Sequence, residues 1–156
     1  MTAKHPKTGH FDVRLRAVGD ADLPVFFEHQ RDPVAARMAA ATPATRLEHA
    51  ELWRALQADP TAEARTIVVD DAVVGAITCW ERWDQRQLGY WLGRDHWGRG
   101  IATTALALFL CEMTTRPVHA YVAPHNAGSR RVLEKCGFRV DDVEGDGSLV
   151  GYVLDL

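Results

Sequence analysis

One stretch constrains this chain more than any other. An apolar strand pattern over residues 87–92 runs into Gly93-Arg94-Asp95-His96-Trp97-Gly98-Arg99-Gly100 and then directly into a helical pattern from Ile101. Ala102, Leu106, Phe109, Leu110 and Met113 fall on one stripe of that helix, which Pro117 stops. A strand, a glycine-bearing loop and a helix start, in that order, form an anion site. The first-turn amides have no intrahelical partner, and the helix dipole adds about half a positive charge. Gly98 and Gly100 let the backbone approach a phosphate closely, and Arg99 adds a full charge. The spacing is neither GxxxxGK[ST] nor GxGxxG, which counts against nucleoside triphosphates and NAD. The same glycines also suit a plain tight connection, so on spacing alone the two readings stand about even.

The flanking sequence places this unit in a mixed α/β domain. Residues 1–10 read as a loose, flexible arm, and 11–156 as one domain. Residues 11–17 alternate as a half-buried strand. Asp20 is a candidate N-cap for a helix to about His29, which Asp32-Pro33 ends. A second helix is expected over 46–58. Residues 66–69 and 73–80 form a hairpin around Asp70-Asp71. Beyond the loop-helix unit come a strand over 118–122, a helix over 126–136 closed by Gly137, and strands over 138–143 and 149–154.

The second helix of this half carries a sharper sign. Ser129, Val132, Leu133 and Cys136 share one face, so Ser129 is a polar group facing inward. Asn126 as N-cap accepting from the Ser129 backbone accounts for Asn126 well and for the Ser129 hydroxyl less well.

Several residues together carry a family resemblance. They are Tyr90-Trp91-Leu92-Gly93, then Trp97-Gly98-Arg99-Gly100-Ile101-Ala102-Thr103, then Asn126-x-x-Ser129 and Lys135-x-Gly137-Phe138. In this order they resemble the GNAT superfamily of acetyl-CoA-dependent N-acetyltransferases, and within it the Rim-like branch of ribosomal-protein N-terminal acetyltransferases. The resemblance implies an acyl-CoA N-acyltransferase fold: a central, mostly antiparallel sheet splayed in the middle and flanked by helices. It implies acetyl-CoA as acetyl donor and a primary amine, on a small molecule or a protein N-terminus, as acceptor. The backbone of Tyr90, Trp91 and Leu92 would meet the pantetheine arm. Trp97, Gly98, Arg99, Gly100, Ile101, Ala102 and Thr103 would cradle the pyrophosphate. Asn126 would bond the arm, and Ser129 would sit near the thioester sulfur as proton donor. Trp97 stands where the family usually has Gln or Arg, Thr104 where the Rim-like branch often has Glu, and Leu133 where many relatives carry a tyrosine acid.

Acetyl transfer needs a neutral amine. A lysine-type amine is neutral in roughly one part in a few thousand at pH 7, an α-amine in about a tenth. A base closes that gap. Glu81, at the end of a predicted central strand, is the first candidate, followed by Asp84 and His96. Trp83, in a polar loop, is a candidate border of the acceptor pocket. The rival reading is a catalytically silent acetyl-CoA-binding sensor or interaction module.

Composition narrows the rest. Three cysteines, Cys79, Cys111 and Cys136, form no CxxC pair and read as buried structural thiols in a reducing cytoplasm. The seven histidines show no HxxxH or HExxH spacing, so no metal is expected. No apolar run is long enough to span a bilayer, and no secretory signal is visible at residues 1–10. A net charge of −3 argues against nucleic acid. It hides a segment, 94–139, with seven Lys/Arg against three acids. It also hides an acidic end at Asp141, Asp142, Glu144 and Asp146, a candidate attractor for a cationic amine. A homodimer is left open.

Overall fold

A computed structural model describes residues 11–143 and 147–156, so the arm at 1–10 and the acids Glu144 and Asp146 lie outside the described residues. Seven strands form one sheet: β1 Val13–Ala17, β2 Glu63–Val69, β3 Ala72–Arg82, β4 Gln85–Leu92, β5 Val118–Val122, β6 Arg139–Val143 and β7 Val150–Leu154. Their order across the sheet is β1-β2-β3-β4-β5-β7-β6. Every neighbouring pair is antiparallel except β4 and β5. The helices are α1 Leu23–Arg31, α2 Pro33–Ala39, α3 Arg46–Ala58, α4 Ile101–Glu112 and α5 Ala127–Lys135. Among the described residues no helix is long and apolar enough to cross a membrane.

The hairpins follow from local chemistry. Asp70 and Asp71 take φ of 49° and 69° between β2 and β3, the paired positive φ of a two-residue turn whose twist matches its strands. Trp83 and Asp84 do the same between β3 and β4, with φ of 54° and 58°. A bulge then decides which side chains face which layer. Ile67 opposes Gly75 while Val68 opposes Val73, so Val74 is the extra residue. Val74, Ile77 and Cys79 therefore join the main core under α4 and α5, with Ile101, Leu106, Phe109 and Leu133. Ala76 faces the other way, into a smaller cluster with Phe26 and Trp53. Leu88 and Leu92 of β4 also point into the main core, with Tyr90 packed against it.

One helix departs from the sequence expectation. Asp32-Pro33 ends α1 but also starts α2: the Asp32 side chain accepts the Val34 N–H at 3.0 Å, with Pro33 at the first helical position. The dipeptide that stops a helix is also the best start for the next. Asp20 is likewise not a side-chain cap. It opens a short 3-10 turn, Asp20–Asp22, and Asp22 is the buried member. Cys79 is buried as expected, whereas Cys111 is exposed on α4 and Cys136 is half-buried.

Candidate active site

The site begins where β4 and β5 part. They pair only at Arg86–Val118 and Gln87–His119, so the rest of β4 has a free edge on that side. The Gly93 N–H donates to the Val74 carbonyl. By antiparallel alternation, Trp91 then faces β3, while the Tyr90 and Leu92 peptides face the gap. Trp97 holds the end of this edge, its indole N–H donating to the Leu92 carbonyl at 2.9 Å.

The N-terminus of α4 faces the same gap. Its N-cap is Gly100, with φ of 78°, and no side chain caps it. Gly98 also has φ of 75°. A Cβ at either glycine would meet nothing within 4 Å. Thr104 makes the first helical bond, to Gly100, so the amides of residues 101–103 lack intrahelical acceptors and no acid stands in that turn. These groups form a concave run of donors, suited to an anion.

Opposite lies α5. Asn126 caps it, its Oδ1 accepting the Ser129 N–H at 3.2 Å. The capping account of Asn126 is thus correct, and the same side chain also lines the cleft. Together these parts enclose a cleft of about 420 Å³. Tyr90, Trp91, Leu92, Trp97, Gly98, Gly100, Ile101, Ala102, Thr103, Asn126 and Ser129 all line it. The Arg99 side chain does not. Its guanidinium lies 5.9 Å from the Phe11 ring centroid instead. Two cations that the sequence reading assigned to outer faces, Arg131 and Lys135, do line the cleft. They stand one helical turn apart, and an i, i+4 pattern seen from the cleft side was the available signal.

Two residues that line the cleft carry polar atoms buried without partners: the Tyr90 hydroxyl and the Trp91 indole nitrogen. Burial pushes the Tyr90 phenol up to about 12, with the neighbouring Ser129 side chain acting the other way. Tyr90 therefore stays a proton donor at neutral pH. Leu133, at the position of the absent helix tyrosine, is fully buried core. A second cavity, of about 360 Å³, lies on the other face of the sheet between α1, α3, β3 and β4. The two share Tyr90 and Trp91.

Glu81 is not brought to this place. It is exposed, opposite Arg86 near the β3–β4 turn, and lines neither cavity. Arg86 and Tyr90 are four residues apart on one strand, roughly 13 Å. Asp84 and Trp83 sit in that turn too. Trp83 is 75% exposed and stacks with Arg82, whose guanidinium is 4.1 Å from its ring centroid. His96 does line the first cleft, and burial lowers its pKa. The sequence reading missed His29. It lines the second cavity and its Nδ1 is buried without a partner. Burial lowers its pKa, with His96 acting in the same direction and Asp95 against it.

The family follows from a comparison of the whole domain. A model described as an acetyltransferase (GNAT) domain matches residues 12–139. The chain belongs to the GNAT acetyltransferase family. A probable N-acetyltransferase of Bacillus subtilis, YjcK, is 33% identical over 47% of this chain and 45% of that one. The match thus spans less than half of that relative's length. Among solved structures, a spermidine N-acetyltransferase from Vibrio cholerae in complex with CoA and spermine superposes with a TM-score of 0.78. It is 18% identical and covers 92% of this chain and 95% of that one. RimJ of Mycobacterium smegmatis, in complex with CoA-disulfide, superposes with a TM-score of 0.71 at 25% identity, covering 92% and 81%. The GNAT fold, with its seven-stranded sheet splayed at β4 and β5, accounts for the free strand edge and the open helix start.

A residue that no motif singled out keeps the free edge in place. Gly75 of β3 lies under the Trp91–Leu92 peptide, where an added Cβ would stand 2.3 Å from the Trp91 carbonyl oxygen. The clash is with backbone and cannot be relieved by a rotamer change. Gly75→Ala is expected to weaken binding of acetyl-CoA by at least tenfold and lower the melting temperature by several degrees. Titration calorimetry and thermal melts would show this. Wild-type values in both would mean that β3 and β4 part without cost.

Proposed function

We propose that this chain is an N-acetyltransferase moving the acetyl group of acetyl-CoA directly to a primary amine, in a reducing, cytoplasmic setting that suits its free thiols. One observation carries the reading. An uncapped helix start with two left-handed glycines faces a free strand edge, and the resulting cleft meets a second cavity at Tyr90 and Trp91.

The residues fit the donor. The open space over Gly98 and Gly100 and the amides of 101–103 suit a pyrophosphate, with Arg131 and Lys135 adding charge. The Tyr90 and Leu92 peptides suit an extended amide-bearing arm. When bound, the donor supplies an acyl group activated as a thioester. The Leu92 N–H, on the free edge, is the backbone donor placed to meet an oxyanion. The Ser129 hydroxyl, beside the Tyr90 phenol, is placed to protonate a leaving thiolate of pKa about 8.5. His29 takes the base role that Glu81 is too distant to play. Burial keeps its imidazole neutral at pH 7 and able to accept a proton. A protein N-terminus, as in the Rim-like branch, is the acceptor that needs least help from a base, because an α-amine is already about a tenth neutral.

The experiment is thiol release from acetyl-CoA against an amine panel that includes peptides with free N-termini. Turnover is expected. Acetyl-CoA binding without turnover of any amine would make the domain a silent binding module. Ser129→Ala is expected to lower kcat about tenfold with the acetyl-CoA Kd unchanged, and an unchanged kcat would remove the acid role. The base assignment fixes a sign: kcat/KM, which already falls with pH as the acceptor amine protonates, gains a second falling limb as pH drops through the lowered His29 pKa. His29→Gln should abolish that limb.

A further inference from the structure

We infer that the acceptor is a primary amine carried on an uncharged, apolar or aromatic body, and that the cavity between α1, α3 and the β3–β4 surface holds that body. The inference rests on the acetyl-transfer reading and narrows its substrate class.

The walls of this cavity are apolar. Phe26, Leu52, Trp53 and Leu56 come from the helices, and Ala76 and Gly89 form the floor. Leu52 stands at the mouth and is 55% exposed. A large aliphatic side chain left in water at the lip of a cavity favours an apolar guest. The floor is open because Gly89 has no side chain. About 360 Å³ is ample for an aromatic ring with a short linker, since a cavity of roughly 150 Å³ holds benzene.

Charge points the same way. Among the described residues lining the cavity there is no carboxylate. Three acids of the surrounding helices are engaged elsewhere, and the fourth, Glu51 of α3, is exposed and does not line the cavity. Glu28 pairs with Arg31 and Arg46, Asp32 with Arg94 at 2.9 Å, and Glu48 closes the capping box of α3 with Thr45. On the opposite side of the sheet order, Asp141 faces Arg139. A polyamine would bring extra ammonium groups to a lining with nothing to pair them, and burying an unpaired charge is costly. The polar groups present are neutral. Gln30 is spent on Phe27 and Ala44, and His49 is buried in contact with Phe27 and Trp53.

Two residues of the lining carry unsatisfied polar atoms. The Trp91 indole nitrogen and His29 Nδ1 are both buried and unpartnered. An indole N–H only donates, so it cannot pair with an ammonium, whereas a neutral imidazole such as His29 can accept from an amine N–H and leaves the amine lone pair free to attack. The lining thus suits one amine nitrogen near His29 and Trp91 and apolar atoms elsewhere.

The test compares phenethylamine and a peptide beginning with Phe against spermidine, by calorimetric binding to the full chain and by thiol release. At least one of the two aromatic amines is expected to show a kcat/KM at least tenfold above that of spermidine. Which of them is favoured tells a free amine from a peptide N-terminus. Gly89→Val fills the floor. The atoms nearest its Cβ would be on Trp80 at 3.5 Å and Thr78 at 3.8 Å, ordinary contacts. It is expected to weaken binding of the aromatic amine at least tenfold while the acetyl-CoA Kd stays within twofold. Leu52→Glu, a change at an exposed helix position that leaves the core alone, supplies the missing carboxylate. It should shift the kcat/KM ratio toward spermidine at least fivefold. A wild type that prefers spermidine, or a folded Gly89→Val with unchanged aromatic-amine binding, overturns the inference. So does a Leu52→Glu with an unchanged ratio. Loss of the acetyl-transfer reading looks different: the wild type would then fail to bind acetyl-CoA at all.

Discussion

Gly100→Ala should raise the Kd for acetyl-CoA about a hundredfold and lower the melting temperature by only a few degrees. The two effects have different causes. Gly100 sits at φ of 78°, and an L-residue there costs roughly 1–2 kcal/mol of backbone strain. The protein itself does not clash with the new methyl group, since nothing lies within 4 Å of it. The methyl instead enters the space that the amides of 101–103 face. Losing one or two charge-assisted hydrogen bonds to a phosphate costs roughly 3 kcal/mol, which corresponds to about a hundredfold in affinity. CoA should be affected as strongly as acetyl-CoA, because the pyrophosphate is common to both. Titration calorimetry beside a thermal melt would check this. Binding within threefold of wild type in a folded Gly100→Ala protein would show that the cradle holds no anion.

The largest stability effect is expected at Asp22. Its carboxylate accepts two bonds from Arg16 at 2.7 and 2.8 Å, one from the Gly19 N–H at 2.8 Å and one from the Thr66 hydroxyl at 2.7 Å. The residue is buried, at 4% exposure, and it ties the end of β1 and the middle of β2 to the start of α1. The Arg16 guanidinium, with the Gly19 amide and the Thr66 hydroxyl, holds the carboxyl well below the usual carboxylate range. Asp22→Ala would leave those donors facing an apolar methyl. A loss of about 3 kcal/mol follows, or about 10 °C in melting temperature for a domain of this size. The pH dependence has a defined sign. The folded pKa is depressed, so the unfolded chain binds more protons. The contribution is fully present above the unfolded value near 3.8 and is lost as pH falls toward the folded one. The gap between wild type and Asp22→Asn in urea unfolding should therefore shrink on acidification below about pH 4. A gap that stayed constant from pH 7 to 3 would mean that the Asp22 carboxyl titrates alike in the folded and unfolded chain. Because α1 carries Phe26 and His29, a partly folded Asp22→Ala protein should also lose acceptor binding before donor binding.

Each of these residues was visible to sequence reasoning to a different degree. Gly98 and Gly100 were legible because only glycine visits the left-handed region freely just before a helix. Asn126 and Ser129 were legible because a cap and a helix face are properties of adjacent residues. The Asp70-Asp71 turn, α3 and the Gly137 stop follow from the same short-range chemistry. Asp22 read as one more acid near a helix start, since its partners Arg16 and Thr66 are six and 44 residues away. Gly75 carries no motif, and only the register that sets it under the Trp91 peptide makes it critical. Glu81 was placed at the end of the correct strand, but a strand has two ends, and spacing does not say toward which one the cleft opens.

The sequence by itself determined the local half of this protein: which segments are strands, which are helices apart from α2, and that a glycine loop opening into a helix can take an anion. Turns, caps and left-handed positions are decided within a few residues, so the order of side chains is enough. The tertiary structure alone decided the rest. The parting of β4 from β5, the bulge at Val74 that turns it to the same layer as Ile77, and the meeting of two cavities at Tyr90 and Trp91 are products of register and packing between distant segments. Register and packing minimise exposed apolar area and unpaired polar groups over the whole chain, a condition that no short window of residues states.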